Sequence, residues 1–91
     1  MREFLKELGI TLPGYEDADM KYVVQIPDSN EYSKVFSRLD NNNHIHELQN
    51  EDEKINFDKI SYESESYLID LFSDYENDKY WLECYRKEEL L

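Results

Sequence analysis

The residues with the means to act on another molecule are carboxylates. Glu63 and Glu65 lie two apart, as do Asp74 with Glu76 and Glu76 with Asp78. On a β-strand, residues i and i+2 point to the same face roughly 6.6 Å apart, whereas each strand of B-form DNA advances about 3.4 Å per phosphate. A row of such acids therefore approaches the linear charge density of a nucleic-acid backbone to within a factor of about two. Asp70 and Glu83 extend the row if their segments pair as a hairpin. The competing account is that acids ordinarily cover a solvated sheet face and keep an edge strand from pairing with other chains. That account suffices for any single acid and is weaker for a net charge of −12.

Tyr62, Tyr67, Tyr75, Tyr80 and Tyr85, together with Trp81, are interleaved with these acids. Tyrosine and tryptophan suit protein interfaces because they bury large area at low entropic cost and keep a polar tip. They are also strand formers that fill a small core. Tyr75, between Asp74 and Glu76, is the one least suited to a core. The candidate partner-binding residues are thus Glu63, Glu65, Asp70, Asp74, Tyr75, Glu76, Asp78, Trp81 and Glu83.

Other chemistry has less support. His44 and His46 would share a strand face and offer two metal ligands, but a transition-metal site needs a third, and Glu47 would point the other way. No metal or cofactor is expected. Cys84 is the single cysteine, which excludes an internal disulfide or a cysteine zinc site and fits a reducing compartment. Its neighbour Glu83 disfavours a thiolate, so Cys84 reads as a buried or half-buried strand residue. With 22 acids in 91 residues, some carboxylate pair at any catalytic spacing arises by chance. Gly9 and Gly14 are the only glycines, which excludes a glycine-rich phosphate loop and a nucleophile elbow. No enzyme activity is expected.

The elements that must position these residues follow from periodicity. Phe4, Leu5 and Leu8 mark one face of a short helix, stopped at Gly9, with Ile10 packing back on Leu5. Pro13-Gly14 predicts a turn, and residues 15–19 an acidic connection. Met20, Tyr22, Val24 and Ile26 alternate with Lys21, Val23 and Gln25 as a half-buried strand does. Asp28 and Glu31 have the spacing of a capping box, and Tyr32, Val35, Phe36 and Leu39 fall on one helical face. Asn41, Asn42 and Asn43 end that helix, because asparagine tolerates the left-handed conformation. Residues 44–49 and 54–57 read as short strands around an acidic turn at 51–53. Residues 67–72 and 79–86 predict an antiparallel hairpin joined by a loop at 73–78. Leu68, Leu71, Phe72 and Tyr75 also have helical spacing, and the run from Lys79 to Leu91 could finish as helix. The β-branched and aromatic content favours the hairpin.

The expected architecture is a single α+β domain over residues 1–91, its second helix packed on a mostly antiparallel sheet. Forty per cent hydrophobic and 14% aromatic residues are too many for a disordered tail. Residues 51–91 carry thirteen acids against five bases, so most of the negative charge lies there. No basic stripe offers itself to phosphates, which argues against nucleic acid as a direct partner and for a basic protein surface. Met1 leads into Arg2, Glu3, Phe4 and Leu5 without the apolar core of a signal peptide, and no run of about 18 apolar residues follows. The expectation is a soluble, cytoplasmic protein that does not bind membranes.

The stretches Tyr62-Glu63-Ser64-Glu65 and Ser73-Asp74-Tyr75-Glu76-Asn77-Asp78, with the chain's small size and near absence of glycine and alanine, carry a resemblance. The chain resembles the phage-encoded DNA-mimic inhibitors, a functional grouping that includes anti-CRISPR, anti-restriction and uracil-DNA glycosylase inhibitor proteins. The likeness is one of composition and charge and covers chiefly residues 51–91. It implies an inhibitor that fills the basic DNA channel of a nuclease, such as a Cas effector or restriction enzyme, or of another DNA-binding protein. Two alternatives stand beside it: an immunity protein that neutralises a basic toxin by the same complementarity, and a structural or adaptor domain with an acidic docking face. A mimic should spread its acids along an elongated face. An immunity protein should gather them into a compact patch with aromatic anchors.

Overall fold

The computed structural model describes residues 1–17, 21–48 and 58–87. Helix α1 (Arg2–Glu7) buries Leu5 and ends as its sequence predicts. Gly9 has φ +87°, a left-handed conformation open to glycine at little cost, and it turns the chain so that the Ile10 N–H donates to the Leu5 carbonyl at 2.9 Å. Ile10 is buried beside Leu5.

Strand β1 (Gly14–Glu16) pairs antiparallel with β2 (Tyr22–Ile26). The expectation of a turn at Gly14 and a connection through Glu16 is therefore corrected. All three residues of β1 are exposed, so the strand exists through its ladder to β2 and leaves no burial period in the sequence. Gly14 serves a close approach, since a Cβ there would come within 2.6 Å of the Val23 carbonyl oxygen. Met20 lies outside the described residues.

Helix α2 (Ser29–Asp40) starts at Asp28, whose carboxylate accepts from the Glu31 N–H at 2.8 Å, and Glu31 in turn accepts from Lys34. Val35 and Leu39 are buried, with Tyr32 and Phe36 packed at the margin of the core. Its end differs from expectation. Asn41 has φ −98° and closes the helix by donating its side-chain amide to the Ser37 carbonyl at 2.9 Å. The left-handed non-glycine residue, among those described, is Asp78 at φ +52°.

Four more strands follow: β3 (His46–Leu48), β4 (Asp58–Glu63), β5 (Tyr67–Asp74) and β6 (Lys79–Arg86). The six form one antiparallel sheet in the order β1-β2-β6-β5-β4-β3. Chain β3 through β6 is a meander that returns to meet β2, and α2 carries the chain from β2 to the far edge. The fold is thus α+β. The hairpin prevails over helix between residues 67 and 86, with β5 two residues longer than predicted. The expected strand at 54–57 and the turn at 51–53 lie outside the described residues.

The sheet has two unlike faces. Tyr22, Val24, Ile26, Tyr62, Ile69, Leu71, Tyr80, Leu82 and Cys84 form one core with Leu5, Val35 and Leu39 of the helices. Alternation sends Val23, Gln25, Ser61, Glu63, Asp70, Phe72, Asp74, Trp81, Glu83 and Tyr85 to the opposite face. No described helix lies on that face. Among the described residues, no helix is long and apolar enough to cross a membrane.

Candidate functional site

The open face is built around two carboxylates. Asp70 on β5 and Glu83 on β6 are directly opposed cross-strand partners, an arrangement that repels unless donors hold it. Donors do hold it. Asp70 accepts from the Ser61 hydroxyl at 2.7 Å on one side and from the Tyr85 hydroxyl on the other. Glu83 accepts from Lys21 Nζ at 3.1 Å and from the indole N–H of Trp81 at 3.0 Å. Burial first, and then the bond to Asp70 and nearby charge, push the Tyr85 phenol well above its ordinary value and keep its proton in place.

Trp81 also stacks on its cross-strand neighbour Phe72, with ring centroids 4.8 Å apart and planes 9° from parallel. A cleft of about 470 Å³ opens beside them, with Tyr15, Lys21, Val23, Gln25, Trp81 and Glu83 in its walls. Glu63 completes the carboxylates of β4 and pairs with Lys87 at 3.1 Å.

Of the nine candidate residues, Glu63, Asp70, Asp74, Trp81 and Glu83 share the open face. Tyr75, Glu76 and Asp78 occupy the turn from β5 to β6 at one rim, all exposed, and Glu65 is exposed in the turn from β4 to β5 at the other. Eight residues of β5 separate the rims by roughly 23 Å. Glu63 and Glu65 do not share a strand, and Glu76 and Asp78 stand in the expected loop, which begins after Asp74 because β5 runs two residues further than predicted. Strand β4 ends at Glu63 because Ser64 turns the chain, its N–H donating to the Tyr67 carbonyl at 2.9 Å. Strand β5 ends at Asp74, whose carboxylate accepts from the Asn77 N–H at 3.3 Å and its side-chain amide at 2.8 Å. The acidic array runs across strands, through Asp70 and Glu83, instead of along one.

The tyrosines divide. Tyr62 and Tyr80 are core, Tyr67 stacks on Phe4 at 4.2 Å, and Tyr85 serves Asp70. Tyr75 alone of the five is exposed, at 63%, with its ring edge-on to Tyr80. Cys84 is fully buried, and burial pushes its thiol up to about 12. His44 precedes β3 in a turn instead of sharing a strand with His46. Among the described residues, no three histidine, cysteine, aspartate or glutamate side chains gather as metal ligands.

Sequence reasoning missed Lys21, Ser61 and Tyr85 as the holders of the two carboxylates. The parity of Trp81, Glu83 and Tyr85 on one strand was a usable signal; the contributions of Lys21 and Ser61 depend on register. Neither a family model, nor a curated protein, nor a solved structure matches this chain.

Proposed function

We propose that this chain is an inhibitor that occupies the basic nucleic-acid-binding surface of a DNA-binding protein, a nuclease in the simplest case, and keeps DNA out. The observation that carries the reading is charge density. A net charge of −12 sits on a body 33 Å in its longest dimension, where a duplex of that length carries about 19 phosphates. The open face supports it, because Asp70 and Glu83 are already held in place and lose little freedom on binding. Charge of this density speeds encounter with a basic partner. In this reading the protein acts as phage counter-defence, as the anti-CRISPR and anti-restriction inhibitors it resembles do.

One observation favours the immunity-protein reading instead. The body is nearly equal in its three dimensions, 33 × 29 × 28 Å, and the Asp70–Glu83 pair beside the Trp81–Phe72 stack makes a compact patch with an aromatic anchor. Competition separates the two. The partner, captured on the immobilised full chain from a bacterial lysate rich in defence nucleases and then purified, is titrated with labelled duplex DNA at several concentrations of this protein. Mutually exclusive binding, with the apparent DNA affinity falling in proportion to added protein, supports the mimic. A ternary complex of partner, DNA and this chain overturns it.

A further inference from the structure

We propose that strand β1 is an edge on which an extended segment of the basic partner adds as a further strand, its basic side chains on the Tyr15 side of the sheet and its apolar ones on the α1 side. The inference rests on the reading of the partner as a basic protein, and it names the kind of segment that this chain takes hold of. Strand β1 ends the sheet order, with β2 as its one neighbour. The Asp17 N–H donates to the Lys21 carbonyl at 2.8 Å, which continues the register in which Tyr15 opposes Val23. Bonded and non-bonded pairs alternate in an antiparallel ladder, so Tyr15 turns its backbone groups to β2, and Gly14 and Glu16 turn theirs outward. Among the described residues, no backbone group bonds to those outward groups. Gly14 is exposed and has no side chain, so it is the backbone itself that solvent reaches. Two outward residues spaced two apart, each with a donor and an acceptor, are a template for strand addition.

Short length and a charge on an edge strand ordinarily keep copies of a protein from pairing, and Glu16 has that effect in a chain of net charge −12. The same charge leaves the edge open to a basic strand. The two sides of the edge differ in sign. On the α1 side a cleft of about 400 Å³ has Leu5, Ile10, Leu12 and Tyr22 in its walls, and there Arg2 and Lys6 outnumber Glu3. On the other side, in the cleft beside Tyr15, Asp17, Asp78 and Glu83 outnumber Lys21 and Lys79. An added strand alternates its side chains between these two sides. Residues opposite Gly14 and Glu16 fall on the α1 side, where apolar walls and two cations favour an apolar side chain. The residue opposite Tyr15 falls on the other side, where a ring 52% exposed and the excess of carboxylates favour arginine or lysine. The partner segment is therefore a strand of alternating basic and apolar residues.

The full chain is titrated with acetyl-Arg-Val-Arg-Val-Arg-amide at constant ionic strength, and the amide resonances of Gly14 and Glu16 are followed. Two isomeric peptides carry the same charge. One is methylated on both valine nitrogens, which face β1 in this register, and the other on the second and third arginine nitrogens, which face away. The expected result is a saturable shift, with the valine-methylated isomer binding at least about tenfold more weakly than the arginine-methylated one. Glu16→Pro removes an outward N–H and leaves the ladder to β2 whole, so it weakens the parent peptide about tenfold. Glu16→Gln removes charge alone and weakens it less than about threefold. Should Glu16→Pro fail to fold, the two isomers on the unaltered chain decide. Equal binding of the two isomers, or equal effects of Glu16→Pro and Glu16→Gln, would overturn the proposal. A dimer of this chain that Glu16→Pro abolishes would overturn it too, since the edge would then belong to a second copy. If the isomers bind equally while the full chain still excludes DNA from its captured partner, the edge is wrong and the mimic reading stands. If the valine-methylated isomer alone loses binding while partner and DNA bind together, the mimic reading falls and the edge stands.

Discussion

Two acids side by side on a sheet need donors, and Tyr85 is one of the three side chains that supply them without having been read as such in the sequence. Its hydroxyl ends on Asp70, directly across from Glu83. Tyr85→Phe removes that donor and leaves a half-buried carboxylate beside a second one, at a cost of about 2 kcal/mol in urea unfolding. The buried thiol gives a second expectation. Cys84 is pushed up from 9.0 to about 12, chiefly by burial, and Tyr62 and Tyr85 are raised in the same sense. The folded chain therefore keeps protons that the unfolded chain gives up. The stability contributed by Cys84 is fully present below pH 9 and is lost as pH rises toward about 12. Urea midpoints should be flat with respect to this group up to about pH 8.5 and fall above it. At pH 8 a thiol reagent should label Cys84 in the denatured chain only. Cys84 was legible as a strand residue from its neighbours, and Trp81 with Glu83 from their parity. Lys21 and Ser61 were not, because each reaches its carboxylate across a strand boundary that only the register defines.

At the scale of elements, the parts with a strong period were legible and those held by hydrogen bonds alone were not. Helix α2 shows a 3.6-residue apolar stripe behind a capping aspartate, and β2 alternates except at Val23, which is buried on the other face. Strand β1 shows neither: Pro13-Gly14 is a turn signal, and the glycine is there because the Val23 carbonyl passes too close for a side chain. The end of α2 was legible in position and not in mechanism, since Asn41 acts through its side-chain amide instead of a left-handed backbone. Glu63 and Glu65 fall on either side of a strand end, and β5 stops at Asp74, for a related reason. Serine and aspartate hydroxyl and carboxylate groups at Ser64 and Asp74 bond to the local backbone and turn the chain where alternation alone would continue it. The cap of α2 can be weighed separately. Asp28→Ala removes the acceptor for the Glu31 N–H and should cost about 1 kcal/mol, read as a lower urea midpoint at unchanged m-value.

For the whole molecule, composition identified an acidic chain and periodicity an α+β fold, and topology adds that the described helices pack on one face of the sheet. What the opposite face contacts was not legible, because complementarity belongs to two molecules and only one is in the sequence. Self-repulsion at −12 makes the fold salt-dependent. The Debye length falls from about 10 Å at 0.1 M to about 3 Å at 1 M, and screened repulsion should outweigh the loss from weakened ion pairs at Lys21, Lys34 and Lys87. The melting temperature should therefore rise between those salt concentrations; a flat or falling value would mean the acids are already internally compensated. The central claim is that the open face and its rims, not net charge alone, engage a basic DNA-binding partner. Two double reversals with the same change in net charge test it. Glu65→Lys with Glu76→Lys alters exposed acids at the two rims of that face, and Glu3→Lys with Glu7→Lys alters exposed acids on α1, on the helical side. The measurement is the association rate with the captured partner across a series of salt concentrations. The account predicts that the rim reversal slows association about tenfold and flattens its salt dependence, while the α1 reversal changes it by less than about twofold. Equal effects from the two pairs, or a larger effect from α1, would contradict it.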